Sequence, residues 1–342
     1  MNKLIEQKIN RVIVIDTGKL IHGCIFNYGS MLKSQREGRM SKEQWVPNPD
    51  YIYISSLLSI LKRIIVKKND IVILANDARN SWRKAFLQTY KKSRSDNRAK
   101  AEEVDWIQWF GKIDEVNKSL ALGTDWYIIK ISDFITYTEL CETEEGQKFL
   151  DPSDDDISFG LEADDILAFC SAYFNNNEVI LVTGDGDIDQ LAYNPNTKVF
   201  SLNIKNNSEK GFYKIIENPL EILAKKVRKG DASDEITEFD NPQIKELIIN
   251  LLKLPTFVYE TLKVYFEQLP YKKDIDYSVL PYPNSLGSEE KFNRIYLPDN
   301  EVTYEESLKV HNKNLLKKKT KAKIAYEKRK AQKDLAKERT MR

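Results

Sequence analysis

Nine carboxylates stand where they could act together: Asp16, Asp77, Glu162, Asp164, Asp165, Asp185, Asp187, Asp231 and Asp234. Asp16 ends the run Arg11-Val-Ile-Val-Ile-Asp16, Asp77 ends Ile71-Val-Ile-Leu-Ala-Asn-Asp77, and Asp185 with Asp187 follows Val179-Ile-Leu-Val-Thr-Gly. Glu162, Asp164 and Asp165 open a helical pattern in Leu161-Glu-Ala-Asp-Asp-Ile166. Asp231 and Asp234 are three apart in Lys229-Gly-Asp-Ala-Ser-Asp234, on one face of a helical turn. Each acid alone is also what a helix cap, a turn or a helix N-terminus would use. Gathered at one place they would repel, and several pKa values would rise unless cations intervened. Hard divalent ions with oxygen ligands supply that charge, so Mg²⁺ is expected, with Mn²⁺ able to substitute. Two such ions about 3.5–4 Å apart can clamp a phosphodiester for in-line attack. One lowers the pKa of the attacking water, and the other steadies the leaving oxygen.

A basic segment follows Asp77. Arg79, Arg83, Lys84, Lys91, Lys92 and Arg94 are interleaved with Trp82, Phe86 and Tyr90, which lie four apart on one helical stripe. Cations for phosphates and aromatic faces for bases suit a single nucleic-acid strand. The same stripe fits a helix whose aromatics are core, and for Trp82 and Phe86 both assignments stand. Lys91 and Arg94 are the residues best suited to act on the scissile phosphate.

The elements that must position these groups are β-branched apolar runs, with Trp126 to Ile131 as a fourth. Continuous apolar character predicts strands buried on both faces. Helical spacing appears between them, over Tyr51–Val66 and Leu161–Tyr173. Alternating strands and helices predict an α/β domain with a mainly parallel sheet flanked by helices, over 1–205. Ligands in such sheets gather at the carboxyl ends of the strands. A mostly helical nucleic-acid-binding domain is expected over 206–303, with helices at Pro219–Val227, Pro242–Leu254 and Phe257–Leu269. Gly29–Asp50 and the acidic Cys141–Gly160 are expected to be loops.

Net charge is +1, from 53 Lys/Arg against 52 Asp/Glu. Lys309–Arg342 holds fourteen Lys/Arg and three Asp/Glu, leaving 39 basic and 49 acidic residues in 1–308. An acidic body that collects cations and a basic 304–342 tail that holds a polyanion is one economical account; a merely solvated tail is the other. Two histidines, His22 and His311, and three scattered cysteines offer neither a zinc site nor a disulfide framework. With no long apolar run and no apolar leader, a cytoplasmic protein with no membrane partner is expected.

In order, Asp16, Asp77 with Trp-Arg and Tyr-Lys-Lys-Ser-Arg, Glu-Ala-Asp-Asp, Gly-Asp-Gly-Asp and Lys-Gly-Asp-x-x-Asp make the chain resemble the flap endonuclease and 5′-nuclease superfamily. The likeness runs over about residues 11–240 and is strongest toward the ribonuclease H branch of the T-even bacteriophages. It implies a PIN-like domain with a helical arch at about 79–110 over the active site. The implied activity is 5′→3′ removal of RNA primers from RNA–DNA hybrids, with exonuclease or flap cleavage of DNA, in phage-type replication in the host cytoplasm. It implies Asp16, Asp77, Glu162 and Asp164 around one metal and Asp165, Asp185 and Asp187 around a second, with Asp231 and Asp234 nearby. Tyr90, Lys91 and Arg94 fall on the arch motif, with Lys91, Arg94, Asp165 and Asp187 in the catalytic set. Implied partners of a monomer are DNA and RNA–DNA hybrid, with a single-strand-binding protein or sliding clamp as protein candidates. Glu235–Pro242 lacks the glycines of the family's duplex-gripping hairpin and its potassium site, and neither the 141–160 insertion nor the basic tail belongs to the family pattern. Two alternatives are a structural binder of forked or flap DNA that keeps the fold, and a Mg²⁺-dependent phosphatase. The latter needs Asp-x-Asp after the first strand, where this chain has Asp16-Thr17-Gly18.

If the tail holds phosphates, deleting residues 310–342 weakens nucleic-acid affinity and flattens its dependence on salt. Binding isotherms at several ionic strengths read this directly, and an unchanged slope assigns the tail no phosphate contacts.

Overall fold

The computed structural model describes residues 9–39, 41, 49–67, 69–93, 106–153, 157–202, 213–270, 276, 279 and 280. Arg94, the rest of the expected arch to 105, Asp154–Asp156 and the 304–342 tail lie outside the described residues.

Five strands form one parallel sheet: β1 (Arg11–Asp16), β2 (Ile71–Ala75), β3 (Tyr127–Ile129), β6 (Glu178–Thr183) and β7 (Thr197–Ser201), in the order β3-β2-β1-β6-β7. Two short strands, β4 (Ile135–Thr136) and β5 (Ser158–Phe159), pair antiparallel beside it. The helices are α1 (Thr17–Arg36), α2 (Pro49–Ile64), α3 (Arg83–Phe86), α4 (Trp106–Gly123), α5 (Tyr137–Glu142), α6 (Glu144–Phe149), α7 (Ala163–Tyr173), α8 (Pro219–Lys229), α9 (Pro242–Ile249) and α10 (Thr256–Gln268), with a 3₁₀ turn at Asp187–Tyr193.

The apolar runs form central strands because alternate side chains are buried on opposite faces. Ile13 and Ile15 face the cluster built with α1, α2 and α4, while Val12 and Val14 face the one built with α7 and α10. Burying each such side chain stabilises the fold by about 1.5–3 kcal/mol. The helices of 219–268, expected as a unit of their own, share this second cluster: Leu223, Ile248, Leu262 and Phe266 belong with Val12 and Phe169. Phe169 packs on Phe266 and Tyr259 with ring centres 5.0 and 5.2 Å apart.

Two expected loops are partly ordered elements. α1 continues to Arg36 because Met31–Arg36 are mostly good helix formers, and it stops before Gly38, whose φ is +68°. Within Cys141–Gly160, Thr143 caps α6 by accepting the Gly146 N–H at 3.0 Å, and β5 follows. No described helix is long and apolar enough to cross a membrane.

Gly160 is where the chain after β2 and the chain before α7 touch. Its N–H donates to the Asn80 carbonyl at 2.6 Å, and its carbonyl accepts the Trp82 N–H at 3.3 Å. A Cβ there would stand 2.2 Å from Ala78 Cβ and 2.8 Å from the Ile131 carbonyl oxygen. Gly160→Ala is therefore expected to lower stability by about 1–3 kcal/mol in urea unfolding; wild-type stability would contradict this contact.

Candidate active site

The chain leaves β1 toward β2 and β3 on one side and returns to β6 and β7 on the other, so the switch point lies between β1 and β6. Asp16, the last residue of β1, is buried there. Its Oδ1 accepts the Lys19 N–H at 3.1 Å, capping α1, and its Oδ2 accepts the Thr183 hydroxyl at 2.7 Å from the end of β6. Asp77, beyond β2, is exposed and its Oδ1 accepts the Ala163 N–H at 2.8 Å, at the start of α7. Gly18 sits between these two acids: a Cβ would lie 2.7 Å from Asp77 Oδ2 and 3.4 Å from Asp16 Oδ1. Beneath them, the Thr17 hydroxyl lies 2.8 Å from both the Ala75 carbonyl and Asn76 Oδ1, which also accepts from Asn117 at 3.1 Å. Tyr53 donates to Asn117 at 3.0 Å. These buried hydrogen bonds fix the turns that carry Asp16 and Asp77.

Segment 82–91 wraps around the acids that open α7. Arg83 is buried and reaches Glu162 Oε2 at 3.0 Å and Asp165 at 3.1 and 2.7 Å. The Tyr90 hydroxyl donates to Glu162 Oε2 at 2.8 Å, and Lys91 Nζ to Glu162 Oε1 at 2.6 Å. Lys91 also lies 3.7 Å from Asp234, whose carbonyl accepts the Lys91 N–H at 3.1 Å. This contact holds Lys91 at φ +54°, a conformation that costs a non-glycine residue energy.

On the β6 side, Lys19 Nζ pairs with Asp185 at 2.7 Å. Lys226, from α8, bridges Asp187 and Asp231, with Asp231 at 2.5 Å. Asp231 also accepts from the Ser233 N–H and hydroxyl at 2.9 and 2.6 Å. Asp189, the third acid of that run, turns to Lys214 at 2.6 Å instead.

The charges are strongly coupled. Burial, and then the Asp77 charge, push Asp16 up to about 6. Burial raises Asp164 well above the carboxylate range; Lys91 opposes this, while Asp185, Asp16 and Glu162 add to it. Burial would raise Glu162 too, but Lys91 and Arg83 overcome it and hold it at about 2. Against their own desolvation, Asp185 is lowered by Lys19, and Asp231 by Lys226 and Ser233.

The structure thus brings Asp16, Asp77, Glu162, Asp164 and Asp185 into one electrostatic neighbourhood, with Asp187, Asp231 and Asp234 linked to it through Lys226 and Lys91. Among the described residues no three acids, histidines or cysteines close up tightly enough to hold a metal ion, and Lys19, Lys91 and Lys226 are paired with the carboxylates there. The donors are all hard oxygens, the chemistry a hard divalent cation prefers, and Asp16 and Asp164 are raised first by burial and then by neighbouring acids.

Several expectations change. Asp165 is fully buried, and Arg83, the Trp82 indole N–H and the Glu162 N–H occupy its oxygens, so it faces away from the open acids. Arg83 and Tyr90 are buried and cannot meet nucleic acid as surface groups, and Trp82 and Phe86 are core. The 219–268 helices cover that face, with Phe257 edge-on to Trp82 at 5.4 Å. Arg79 and Lys92 are exposed, and Lys84 and Lys91 half-buried. Lys19 and Lys226 were not legible as site residues; Lys226 stands five before Asp231, but nothing in a lysine-rich helix singles it out.

No family model matches the chain, and no curated protein does. Among solved structures it is similar to the T5 D15 protein co-crystallised with metal ions, with a TM-score of 0.40 and 16% identity, over 90% of this chain and 99% of that one. At that distance the function has to be argued from the residues themselves.

Asp16 makes a pH prediction. Below about pH 3 it is mostly neutral in both folded and unfolded chains. As pH rises the unfolded chain ionises first, so stability falls until about pH 6, by on the order of 2 kcal/mol. Metal-free Asp16→Asn should lose this decline and gain on wild type above pH 6. Parallel unfolding curves for the two proteins from pH 4 to 7 would refute it.

Proposed function

We propose that this chain is a divalent-metal-dependent nuclease that hydrolyses phosphodiesters in RNA–DNA hybrids and at 5′ ends or flaps of DNA. The observation that supports it most is the meeting of carboxylates from distant stretches at the carboxyl edge of β1, β2 and β6, where burial and neighbouring acids raise Asp16 and Asp164. Asp16, Asp77, Glu162 and Asp164 would hold one divalent ion, and Asp185, Asp187, Asp231 and Asp234 a second. Such a pair of ions, when bound, supplies an activated water and countercharge for the leaving oxygen.

The chain's own groups prepare the site. Thr183 and the Lys19 N–H aim the Asp16 carboxylate, and Ala163 aims that of Asp77. Lys91, with its side chain 14% exposed, is the cation of segment 79–93 nearest the acids and would meet the scissile phosphate, with Arg79 and Lys92 outside it. Arg94 joins Lys91 in this proposal through the family likeness. The 1–205 part would carry the chemistry, the 206–303 helices the duplex and the 304–342 tail further phosphates. A structural binder would also tolerate acids neutralised by lysines, but it has no use for a buried Asp164 whose carboxyl is raised by burial and by Asp185, Asp16 and Glu162 despite Lys91.

The test is a 5′-labelled RNA–DNA hybrid with and without Mg²⁺. Cleavage is expected only with the ion, and Asp164→Asn and Asp187→Asn should each lose at least about 100-fold with binding nearly unchanged. Cleavage equal to wild type in both variants, or none by wild type with tight binding, would overturn the assignment.

A further inference from the structure

Arg83 is the most completely engaged buried cation beside the candidate site. Its Nη1 donates to Glu162 Oε2 at 3.0 Å and Asp165 Oδ2 at 3.1 Å, its Nη2 to Asp165 Oδ1 at 2.7 Å, and its Nε to the Ile248 carbonyl at 3.0 Å. Its side chain is 3% exposed, and its guanidinium lies 4.6 Å from the centre of the Trp82 ring. Trp82 in turn donates to Asp165 at 3.2 Å. Both Asp165 oxygens are therefore engaged, Oδ1 by Arg83 and Oδ2 by Arg83, Trp82 and the Glu162 N–H, while Glu162 Oε1 accepts from Lys91.

We propose, resting on the nuclease reading above, that Arg83 is a positioning residue. It removes Asp165 from the ion-holding set and, by gripping Asp165 and Glu162 together, sets the Glu162 carboxylate against the site. The fork geometry is essential, because one planar guanidinium satisfies two acids and a helix-end carbonyl at once, which an ammonium cannot do. The same grip ties three pieces of chain together: the substrate-facing segment after β2, the start of α7 and the carboxyl end of α9. Ile248 lies in the last turn of α9, where carbonyls lack helical partners, so Arg83 also closes that end.

The test compares wild type, Arg83→Lys, Asp165→Asn and the double variant, by Mn²⁺ binding in electron paramagnetic resonance without nucleic acid, by thermal unfolding, and by kcat and KM on the hybrid. Arg83→Lys is expected to weaken Mn²⁺ binding about tenfold with the number of bound ions unchanged, and to lower kcat with KM within about twofold. Asp165→Asn should likewise keep the ion count and weaken affinity, and the double variant should be no worse than either single one. A purely structural role would lower the unfolding temperature and leave Mn²⁺ affinity at the wild-type value, which overturns the proposal. Loss of one bound ion in Asp165→Asn would overturn it as well, and that variant decides alone if Arg83→Lys does not fold. Wild type that binds no Mn²⁺ and cleaves nothing would sink the nuclease reading together with this one.

Discussion

Repulsion among carboxylates that the sheet forces together is the constraint on which the rest of this structure depends. A parallel sheet whose chain reverses direction between β1 and β6 delivers the ends of its central strands to one edge, and here those ends are acidic. No rearrangement of side chains on a strand end can separate Asp16 from its neighbours, because its backbone is paired with Ala75 of β2 and follows Ile15, which is paired with Val182 of β6. The fold answers with cations of its own. Lys19, Lys226 and the pair Arg83 and Lys91 come from three different stretches, and each is paired with acids of this edge. At Asp16 and Asp164 burial, with the neighbouring acids adding, outweighs what Lys19 and Lys91 supply, and both carboxyls are raised.

Packing explains why these charges can be held so close. The network of Tyr53, Asn117, Asn76 and Thr17 stiffens the turns from below, and two apolar layers clamp the sheet from both faces. The helices of 219–268 do more than extend the molecule. They share a core with the sheet, bring Lys226 to Asp187, and press segment 82–90 inward. The acids at 231 and 234 reach the site because Gly230, at φ +79°, turns the chain sharply after α8, where a Cβ would strike the Ile236 carbonyl oxygen at 2.2 Å.

Much of this was legible in the sequence, and the unread part has a common cause. Four apolar runs announced strands of the sheet, and an acid after three of them announced where a ligand would sit, since both signals are local. β7 was not legible: Thr197-Lys-Val-Phe-Ser201 holds only two apolar residues, Val199 and Phe200, too few to stand out as a run. Trp82, Phe86 and Tyr90 form a stripe that serves bases or a core equally well, and only the arrival of Phe257 and Phe149 on that stripe decides for the core. Asp165 and Arg83 were misread for the same reason. A buried pair between residues 82 apart leaves no spacing signature, so an acid inside Glu-Ala-Asp-Asp and an arginine in a basic run look like surface groups.

The central claim, that this edge is short of positive charge which divalent ions would supply, has a direct measurement. Mg²⁺ is titrated calorimetrically into metal-free protein near pH 6, in two buffers of different ionisation enthalpy. The account predicts saturable binding whose heat depends on the buffer, because protons leave Asp16 and Asp164 as the ion arrives, with the Asp16 share fading above about pH 7. Folded protein that takes up no ion, or takes it up with no proton released at any pH, would contradict it.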